Sequence, residues 1–179
     1  MNLHYALHRT LWKAADLLYP PFCAGCGKPN YRFCPACLQS VNLIKSPFCA
    51  FCGKQTNENQ PVCADCGDIP VHFTAATAWA AYGGSLREAI HALKYKNDMA
   101  LGDYFAHYLI EILSAKNWPF DLIIPVPLSA QRKKERTYNQ SALLSRPISR
   151  YFQLEHSASA LRRTKDTGTQ VNRNRADRD

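Results

Sequence analysis

The cysteines are the residues whose spacing says most about chemistry. All eight fall in four Cys-x-x-Cys pairs: Cys23/Cys26, Cys34/Cys37, Cys49/Cys52 and Cys63/Cys66. Two cysteines at this spacing can direct both sulfurs at one ion. A glycine follows three of the pairs and relieves the turn: Gly27, Gly53 and Gly67. Four soft thiolates suit tetrahedral Zn²⁺, so the pattern predicts two zinc sites.

The pairing of these ligands is open on the sequence alone. Sequential pairing joins the first pair to the second and the third to the fourth, which makes two stacked zinc ribbons. A crossed arrangement would join the first pair to the third. We favour sequential pairing because gaps of 7 and 10 residues then close short loops. Both sites would be filled by protein ligands and would be structural. The alternatives are an iron–sulfur cluster, disulfides or a dithiol redox motif.

A second stretch could bind anions. The apolar run 122–124 and the segment Pro125–Leu128 precede four basic residues, after which residues 139–140 open a predicted helix. A buried strand, a cationic loop and a helix N-terminus suit a phosphate-rich ligand, because backbone N–H groups and the helix dipole favour negative charge. A solvated basic loop between ordinary elements is the alternative. The basic residues are Arg132, Lys133, Lys134 and Arg136.

The charge distribution points to the same end of the chain. The formal net charge is +8 over 179 residues. Residues 1–120 hold 10 Lys+Arg and 8 Asp+Glu, whereas residues 121–179 hold 12 and 6. We therefore expect an anionic partner to meet the C-terminal part. With 46% hydrophobic residues the chain can build a core, which argues against global disorder.

Periodicity indicates the elements that position these residues. Apolar residues at spacings of three and four predict an amphipathic helix over 2–19, packed onto the body of the protein. Residues 22–70 hold every cysteine and show little periodicity. Residues 74–82 predict a strand. A helix follows, capped by Ser85 with Glu88 completing a capping box, with Leu86, Ala89, Ile90 and Leu93 facing inward.

The second half of the chain continues this alternation. We expect a helix over 99–116, a strand at 121–126, a helix over 139–152 that Pro147 kinks or divides, and a short strand at 157–162. The fold class is therefore α/β, with an incomplete, largely parallel sheet preceded by a small Cys-rich module. The predicted domains are an N-terminal helix (1–21), a double zinc ribbon (22–70) and the α/β domain (71–179).

The sequence contains no apolar run close to the about 20 residues that span a bilayer. Its N-terminus is also a poor signal peptide, because charged residues interrupt the apolar positions. We expect a cytoplasmic protein without membrane insertion. Eight cysteines in a reducing compartment favour metal over disulfides.

Together these features resemble the ComF family of bacterial competence and DNA-utilisation proteins. The resemblance also rests on residues 93–95 (Leu-Lys-Tyr), on Pro125–Leu128, and on two arginines ahead of Asn139 and Gln140. It continues in the spaced residues Leu161, Arg163, Thr167 and Gln170. Members of this family join a Cys-rich double zinc ribbon to a type I phosphoribosyltransferase-like domain. The resemblance covers nearly all of this chain and about three quarters of a typical member.

The resemblance implies a ligand surface and cofactors. Residues 129–136 would correspond to a pyrophosphate loop. Mg²⁺ and phosphoribosyl pyrophosphate (PRPP) are implied only where the domain is complete, and two structural Zn²⁺ are implied in any case. The implied contacts to phosphate, pyrophosphate or a DNA backbone are Lys94, Arg132, Lys133, Lys134, Arg136, Asn139, Gln140 and Arg163.

Two departures from the family pattern matter. Thr137-Tyr138 stands where the family commonly has Gly-Phe. More severely, the acidic pair and the Thr-rich, Gly-containing loop that bind PRPP in the family have no counterpart here. We therefore expect a C-terminally truncated domain without transferase turnover, and we assign no catalytic residue.

Three functions follow as expectations. The first is a ComF-like protein of DNA uptake, natural transformation or DNA utilisation that binds single-stranded DNA or a phosphorylated ligand. The second is a phosphoribosyltransferase when full length. The third is a zinc-ribbon interaction module that docks a helicase-like component of the DNA-uptake machinery.

Overall fold

The computed structural model of the chain describes residues 16, 19–67 and 72–164. Within these residues, two short helices lie among the cysteines and four more follow them. Two short strands, β1 (Leu122–Ile123) and β2 (Glu155–His156), flank the last two helices. The fold is thus mixed helix and strand with a Cys-rich module. The helices are α1 (Pro35–Gln39), α2 (Ala64–Gly67), α3 (Gly84–Tyr95), α4 (Ala100–Lys116), α5 (Ala130–Arg136) and α6 (Gln140–Phe152).

Helix α3 has the predicted apolar face but not the predicted cap. Leu86, Ala89 and Leu93 are buried, as periodicity indicated, and Ile90 is half-buried. The capping box is wrong, because the residue before the helix is Gly83 and no side chain caps it. The Ser85 hydroxyl instead donates to a carbonyl oxygen of the cysteine module, that of Cys37, at 2.9 Å. Ser85 lies inside the helix, one residue after its start, and its side chain links α3 to the cysteine module.

Helix α4 joins the cysteine module to the helices through aromatic packing. Phe33, which is 3% exposed, meets Phe105 edge-on with ring centroids 5.5 Å apart. Trp79 stacks on Tyr108 at 4.2 Å. The first cysteine cluster belongs to the same buried core as α3 and α4. The module is therefore not held by metal alone, and the predicted boundary at residue 70 lies outside the described residues.

A second, smaller core holds the end of α4 against α6. Ala106, Ile110 and Ile148 are buried together, and Ile123 of β1 packs against them. The two helices approach closely at Gly102, where an added Cβ would lie 2.6 Å from the Leu143 Cβ. A residue without a side chain is therefore required at this crossing.

The predicted parallel sheet is present as a single pair of strands within the described residues. β1 and β2 run parallel, with Leu122 opposite Glu155 and Ile123 opposite His156. The connection between them passes through α5 and α6, as parallel strands require a crossover. The predicted strand at 121–126 is thus shorter than expected.

Two other predicted strands are wrong. Residues 74–82 form only an isolated antiparallel bridge, between Ala80 and Leu43. The Ile44 N–H donates to the Trp79 carbonyl oxygen at 3.2 Å. The segment around Ile44 therefore lies beside residues 74–82, but the paired stretch is too short to form a β-ladder. Residues 157–162 are not a strand either. Instead β2 lies just before them, and the Ser157 N–H donates to the Ile123 carbonyl oxygen at 3.1 Å.

The predicted cationic loop is a helix. Ser129 caps α5, and its hydroxyl oxygen accepts from the Arg132 N–H at 3.3 Å. The helix ends at Thr137 in a left-handed conformation, with φ of 61°. Helix α6 begins after Asn139, whose side chain accepts from the Ser141 N–H at 2.9 Å. Pro147 lies inside α6 and does not divide it.

The ends of the chain lie mostly outside the described residues. Of the predicted helix over 2–19, Asp16 is described as helical, together with Tyr19 beyond it. The polar tail from residue 165 is not described either. Within the part of the chain that is described, we find no helix with the length and apolar character to cross a bilayer.

Candidate metal centres and a basic ligand surface

Each half of the cysteine module begins with the same turn. The Gly27 N–H donates to the Cys23 carbonyl oxygen at 2.7 Å, and the Gly53 N–H to the Cys49 carbonyl oxygen at 3.0 Å. The two glycines have φ of 78° and 71°, which only glycine adopts at no steric cost. The turn corresponds to a repeated Cys-Ala-x-Cys-Gly-Lys sequence at 23–28 and 49–54. This internal repeat is a signal that cysteine spacing alone does not reveal.

The second pair of each half lies at the start of a short helix. Cys34 precedes α1, and its sulfur accepts from the Cys37 N–H at 3.5 Å. Cys63 precedes α2, and its carbonyl oxygen accepts from the Cys66 N–H at 3.0 Å. The helical turn brings the two sulfurs of each pair to one side.

The eight sulfurs form two groups of four, which confirms sequential pairing. In each group all four sulfurs lie within 4.8 Å of one another. The Cys26 and Cys34 sulfurs are 3.6 Å apart, and those of Cys52 and Cys63 are 3.7 Å apart. Sulfurs about 2.3 Å from a tetrahedral Zn²⁺ are about 3.8 Å from each other. The two clusters therefore fit two structural zinc sites: Cys23, Cys26, Cys34 and Cys37, and Cys49, Cys52, Cys63 and Cys66.

The pKa values in the first cluster show why a cation belongs there. Burial raises the pKa of Cys23, but backbone N–H groups, led by that of Cys34, outweigh it and lower the pKa to about 6. Burial and the neighbouring thiols raise the pKa of Cys37 above its ordinary value. The protein alone thus favours one thiolate and opposes the next. A divalent cation between the sulfurs removes that conflict.

The second cluster repeats this arrangement. Backbone N–H groups of Cys52 and Cys63 lower the pKa of Cys49 to about 6. Burial and the neighbouring thiols raise the pKa of Cys66 to about 12. The repeated sequence therefore repeats its electrostatics as well as its turn.

Arg32 links the first ribbon to two distant segments, a role that no sequence pattern indicated. Its guanidinium pairs with Asp98, between α3 and α4, at 3.1 Å. It also pairs with Asp16, through Nε at 3.0 Å and through Nη2. Burial raises the pKa of Asp98, and Arg32 opposes that rise. The partners are 16 and 66 residues away, so no local spacing could predict them.

The predicted phosphate contacts are brought only partly together. Arg132 and Arg136 lie one turn apart on α5, and Lys133 and Lys134 are exposed on the same helix. Arg136 Nη1 donates to the side-chain oxygen of Gln140 at 3.1 Å. Gln140 is only 7% exposed, so its amide serves this contact more than a solvent-side ligand.

The turn between α5 and α6 is fastened at two points. The Tyr138 hydroxyl donates to the Leu93 carbonyl oxygen of α3 at 2.6 Å. The Asn139 amide donates to the Val126 carbonyl oxygen at 2.9 Å. Asn139 is thus both a helix cap and a tether to the segment after β1. Asn139, which the sequence predicts as a ligand contact, therefore has a structural role.

Two predicted residues lie at the margins of this group. Lys94 is half-buried in the last turn of α3 and precedes Tyr95. Arg136 of α5 donates to the Tyr95 hydroxyl oxygen at 3.1 Å. Arg163 is exposed in the segment after β2. The structure therefore places Lys94 next to a residue that α5 contacts.

A separate groove lies between the first ribbon and α4. Its volume is about 510 Å³, and it contains none of the predicted phosphate contacts. Its lining includes Tyr31, Phe33, Tyr104 and Tyr108. Three of these residues, Phe33, Tyr104 and Tyr108, also pack together where the ribbon meets α4.

Comparison with known proteins agrees with the metal centres. Residues 14–67 match the double zinc ribbon domain. This range contains both cysteine clusters and Arg32. The chain therefore carries a double zinc ribbon with two sites of four cysteines each.

The chain is also distantly similar to proteins that are named for DNA utilization. It is 28% identical over 163 residues to the DNA utilization protein YhgH of Escherichia coli (strain K12) and 29% identical to that of Shigella flexneri. Each alignment covers 86% of this chain and 71% of the relative. The protein of the same name from Salmonella typhimurium (strain LT2) is 26% identical over 163 residues. No solved structure matches the chain significantly.

Proposed function

We propose that this chain is a ComF-like protein of DNA utilisation or uptake, and that it binds single-stranded DNA through α5 and its surroundings. The observation that carries the proposal is the similarity to the YhgH proteins over 86% of the chain. That similarity extends well beyond the zinc ribbon at residues 14–67. The proposed role therefore involves both the ribbon and the helices that pack on it.

The charge of the C-terminal half supports phosphate binding. Helix α5 presents Lys133 and Lys134 to solvent, with Arg132 and Arg136 half-buried beside them. Four cations within five positions give a local positive potential that attracts a polyanion. Because the contacts are to phosphate, we expect binding without marked sequence preference.

The order of the elements supports a phosphoribosyltransferase-like α/β domain. Strand β1, helix α6 and strand β2 form a parallel crossover unit, the building block of such sheets. We propose this fold for the C-terminal half and assign it a binding role. The zinc ribbon, whose metal sites are closed by four cysteines each, then serves as its structural support.

The test is binding of fluorescent single-stranded DNA, measured by anisotropy across a range of salt concentrations. The expected affinity falls steeply with salt, because each neutralised phosphate contributes about 0.7 to the logarithmic slope. Replacing Arg132, Lys133 and Lys134 by Ala should weaken binding at least tenfold and flatten that slope. Lys54→Ala is the control for a cation lost elsewhere, since it removes one cation from the second ribbon, where Lys54 pairs with Asp65 at 3.2 Å.

The cellular form of the test is complementation. The chain should restore growth on DNA to an Escherichia coli strain that lacks its YhgH protein, and the α5 triple variant should not. Salt-independent binding, or a triple variant that binds like the wild type, would contradict the proposal. Capture of a helicase-like protein without any DNA binding would favour the interaction module instead. PRPP turnover by this chain would favour the enzyme.

A further inference from the structure

Tyr95 ends α3 in an unusual setting for an exposed aromatic residue. It is 58% exposed, yet it has two defined neighbours. The Arg136 guanidinium lies over its ring, with Cζ 4.8 Å from the centroid, and donates to its hydroxyl oxygen at 3.1 Å. The His91 ring, one turn earlier on α3, is 5.1 Å away at an angle of 48°. A ring tilted this far does not cover the face of Tyr95 as a parallel ring would.

The side chain of Arg136 is itself fixed by a hydrogen bond to α6. Its other terminal nitrogen, Nη1, donates to the side-chain oxygen of the buried Gln140 at 3.1 Å. The turn that carries both residues is fastened to α3 by the Tyr138 hydroxyl. The orientation of Tyr95 is therefore set by α6 through Arg136. Because the ring is already ordered, a ligand that stacks on it avoids part of the entropy cost of binding.

Stability of the core does not explain this arrangement. Aromatic residues stabilise a fold mainly through buried area, and more than half of Tyr95 faces solvent. Its surroundings are cationic instead: Arg136 on the ring, Lys94 next to it in the chain, and Arg132 one turn away on α5. In proteins that bind single-stranded nucleic acid without sequence preference, aromatic rings stack on bases while cations hold the phosphates.

We propose that Tyr95 is a base-stacking residue for single-stranded DNA and that Arg136 positions its ring. The inference rests on the proposed function, in which α5 holds the phosphates. Tyr95 would then take a base of the same strand, at the junction of α3 and α5. Stacking uses the flat face that every base has, so the site selects single strands over duplexes rather than one base over another.

The chain offers a matched control in Tyr82. It is 59% exposed, like Tyr95, but it precedes α3 rather than ending it. The length of the helix places the two tyrosines about 18 Å apart. Tyr82→Ala therefore removes a similar amount of exposed aromatic surface from just before the other end of α3.

The test compares two probes with the same number of phosphates, oligothymidylate and an abasic oligonucleotide of equal length. Wild-type protein should bind oligothymidylate more tightly. Tyr95→Ala should weaken that binding about tenfold and leave abasic binding unchanged. Tyr95→Phe keeps the ring and loses only the hydroxyl, so it should stay within about threefold of the wild type. Tyr82→Ala should behave like the wild type with both probes.

A second measurement needs no variant. An oligonucleotide that carries photoreactive iodouracil should crosslink to the peptide containing Tyr95 and not to the one containing Tyr82, as mapped by mass spectrometry. The inference is overturned if Tyr95→Ala weakens both probes equally or neither, or if the crosslink maps elsewhere. In that case wild-type binding to both probes would leave the proposed function standing. Absence of wild-type binding to either probe would overturn both proposals.

Discussion

His156 illustrates how a single residue sets a pH dependence. Its Nε2 lies 2.8 Å from the Ser145 hydroxyl oxygen, where β2 meets α6. Burial lowers its pKa, and the charges of Arg146 and Arg150 on α6 lower it further. The folded protein therefore binds a proton at His156 less readily than the unfolded chain does. No pattern in the sequence indicated this contact.

The sign of the effect follows from that depressed pKa. Above the unfolded pKa of about 6.5, neither state is protonated at His156 and stability is unaffected. As the pH falls below that value, the unfolded chain takes up the proton first and stability declines. We expect His156→Gln to reduce the loss of stability between pH 7.5 and 5.5, measured by denaturant unfolding. His72→Gln, at an exposed histidine, is the control. An unchanged slope in His156→Gln would count against the argument.

At the scale of elements, the crossing of α4 and α6 depends on one missing side chain. A Cβ on residue 102 would lie 2.6 Å from the Leu143 Cβ and 3.2 Å from its carbonyl oxygen. The second of these atoms is backbone, so the helices themselves would have to separate. We expect Gly102→Ala to destabilise the fold by about 1–3 kcal/mol, as overpacking does.

Thermal and denaturant unfolding would measure that loss. Gly83→Ala is the control, since nothing lies within 4 Å of its added Cβ and its φ of 177° is extended backbone that alanine adopts. Its cost should be a few tenths of a kcal/mol, from the weaker helix start. If Gly102→Ala were no worse than Gly83→Ala, the close approach of α4 and α6 would be wrong.

The long helices could be predicted from this sequence, but of the three predicted strands only the one at 121–126 is present, as the shorter β1, and the short helix α5 was predicted as a loop. The periodic apolar positions of α3 and α4 are local information, and their bounds agree with the prediction to within about two residues. A strand depends on its neighbour. Residues 74–82 have strand composition, but the adjoining ribbon segment supplies one bridge. The predicted cap at Ser85 was wrong because α3 already begins at Gly84, so Ser85 lies inside the helix and its hydroxyl donates to the distant Cys37 carbonyl oxygen.

The metal sites and the basic surface also differ in how far the sequence could predict them. Metal ligands were predictable because four Cys-x-x-Cys pairs carry their local geometry in their spacing, whereas only the structure decides which pairs share an ion. The basic residues carried only a charge. Their arrangement depends on contacts between segments about 40 residues apart, such as Arg136 with Tyr95 and Tyr138 with Leu93. That is why Asn139 and Gln140 have structural partners that the sequence did not indicate.

At the scale of the whole molecule, the two zinc sites are placed differently. Three ligands of the first cluster, together with Phe33, belong to the core that also contains Leu86 and Phe105. The second cluster meets the rest of the protein through the Phe51 carbonyl oxygen, which accepts from Ala76 N–H, and through Lys116 over the Phe48 ring at 4.2 Å. The first site therefore shares its core with α3 and α4, whereas the second site lies at the edge of that core.

This difference predicts two phases of zinc release. With a strong chelator, the second site should lose its ion first, because its ligands can separate locally without opening the shared core. Helical content, followed by circular dichroism, should persist through that phase and fall only when the first site, Cys23 to Cys37, loses its ion.

Two variants separate the sites. Cys49→Ser should bind one zinc and show the slow phase alone. Cys23→Ser should lose helical content before any chelator is added, because its cluster is part of the core. Release of both ions in one phase, or loss of helical content when the second site releases its ion, would show that the two ribbons and the helices unfold as one unit.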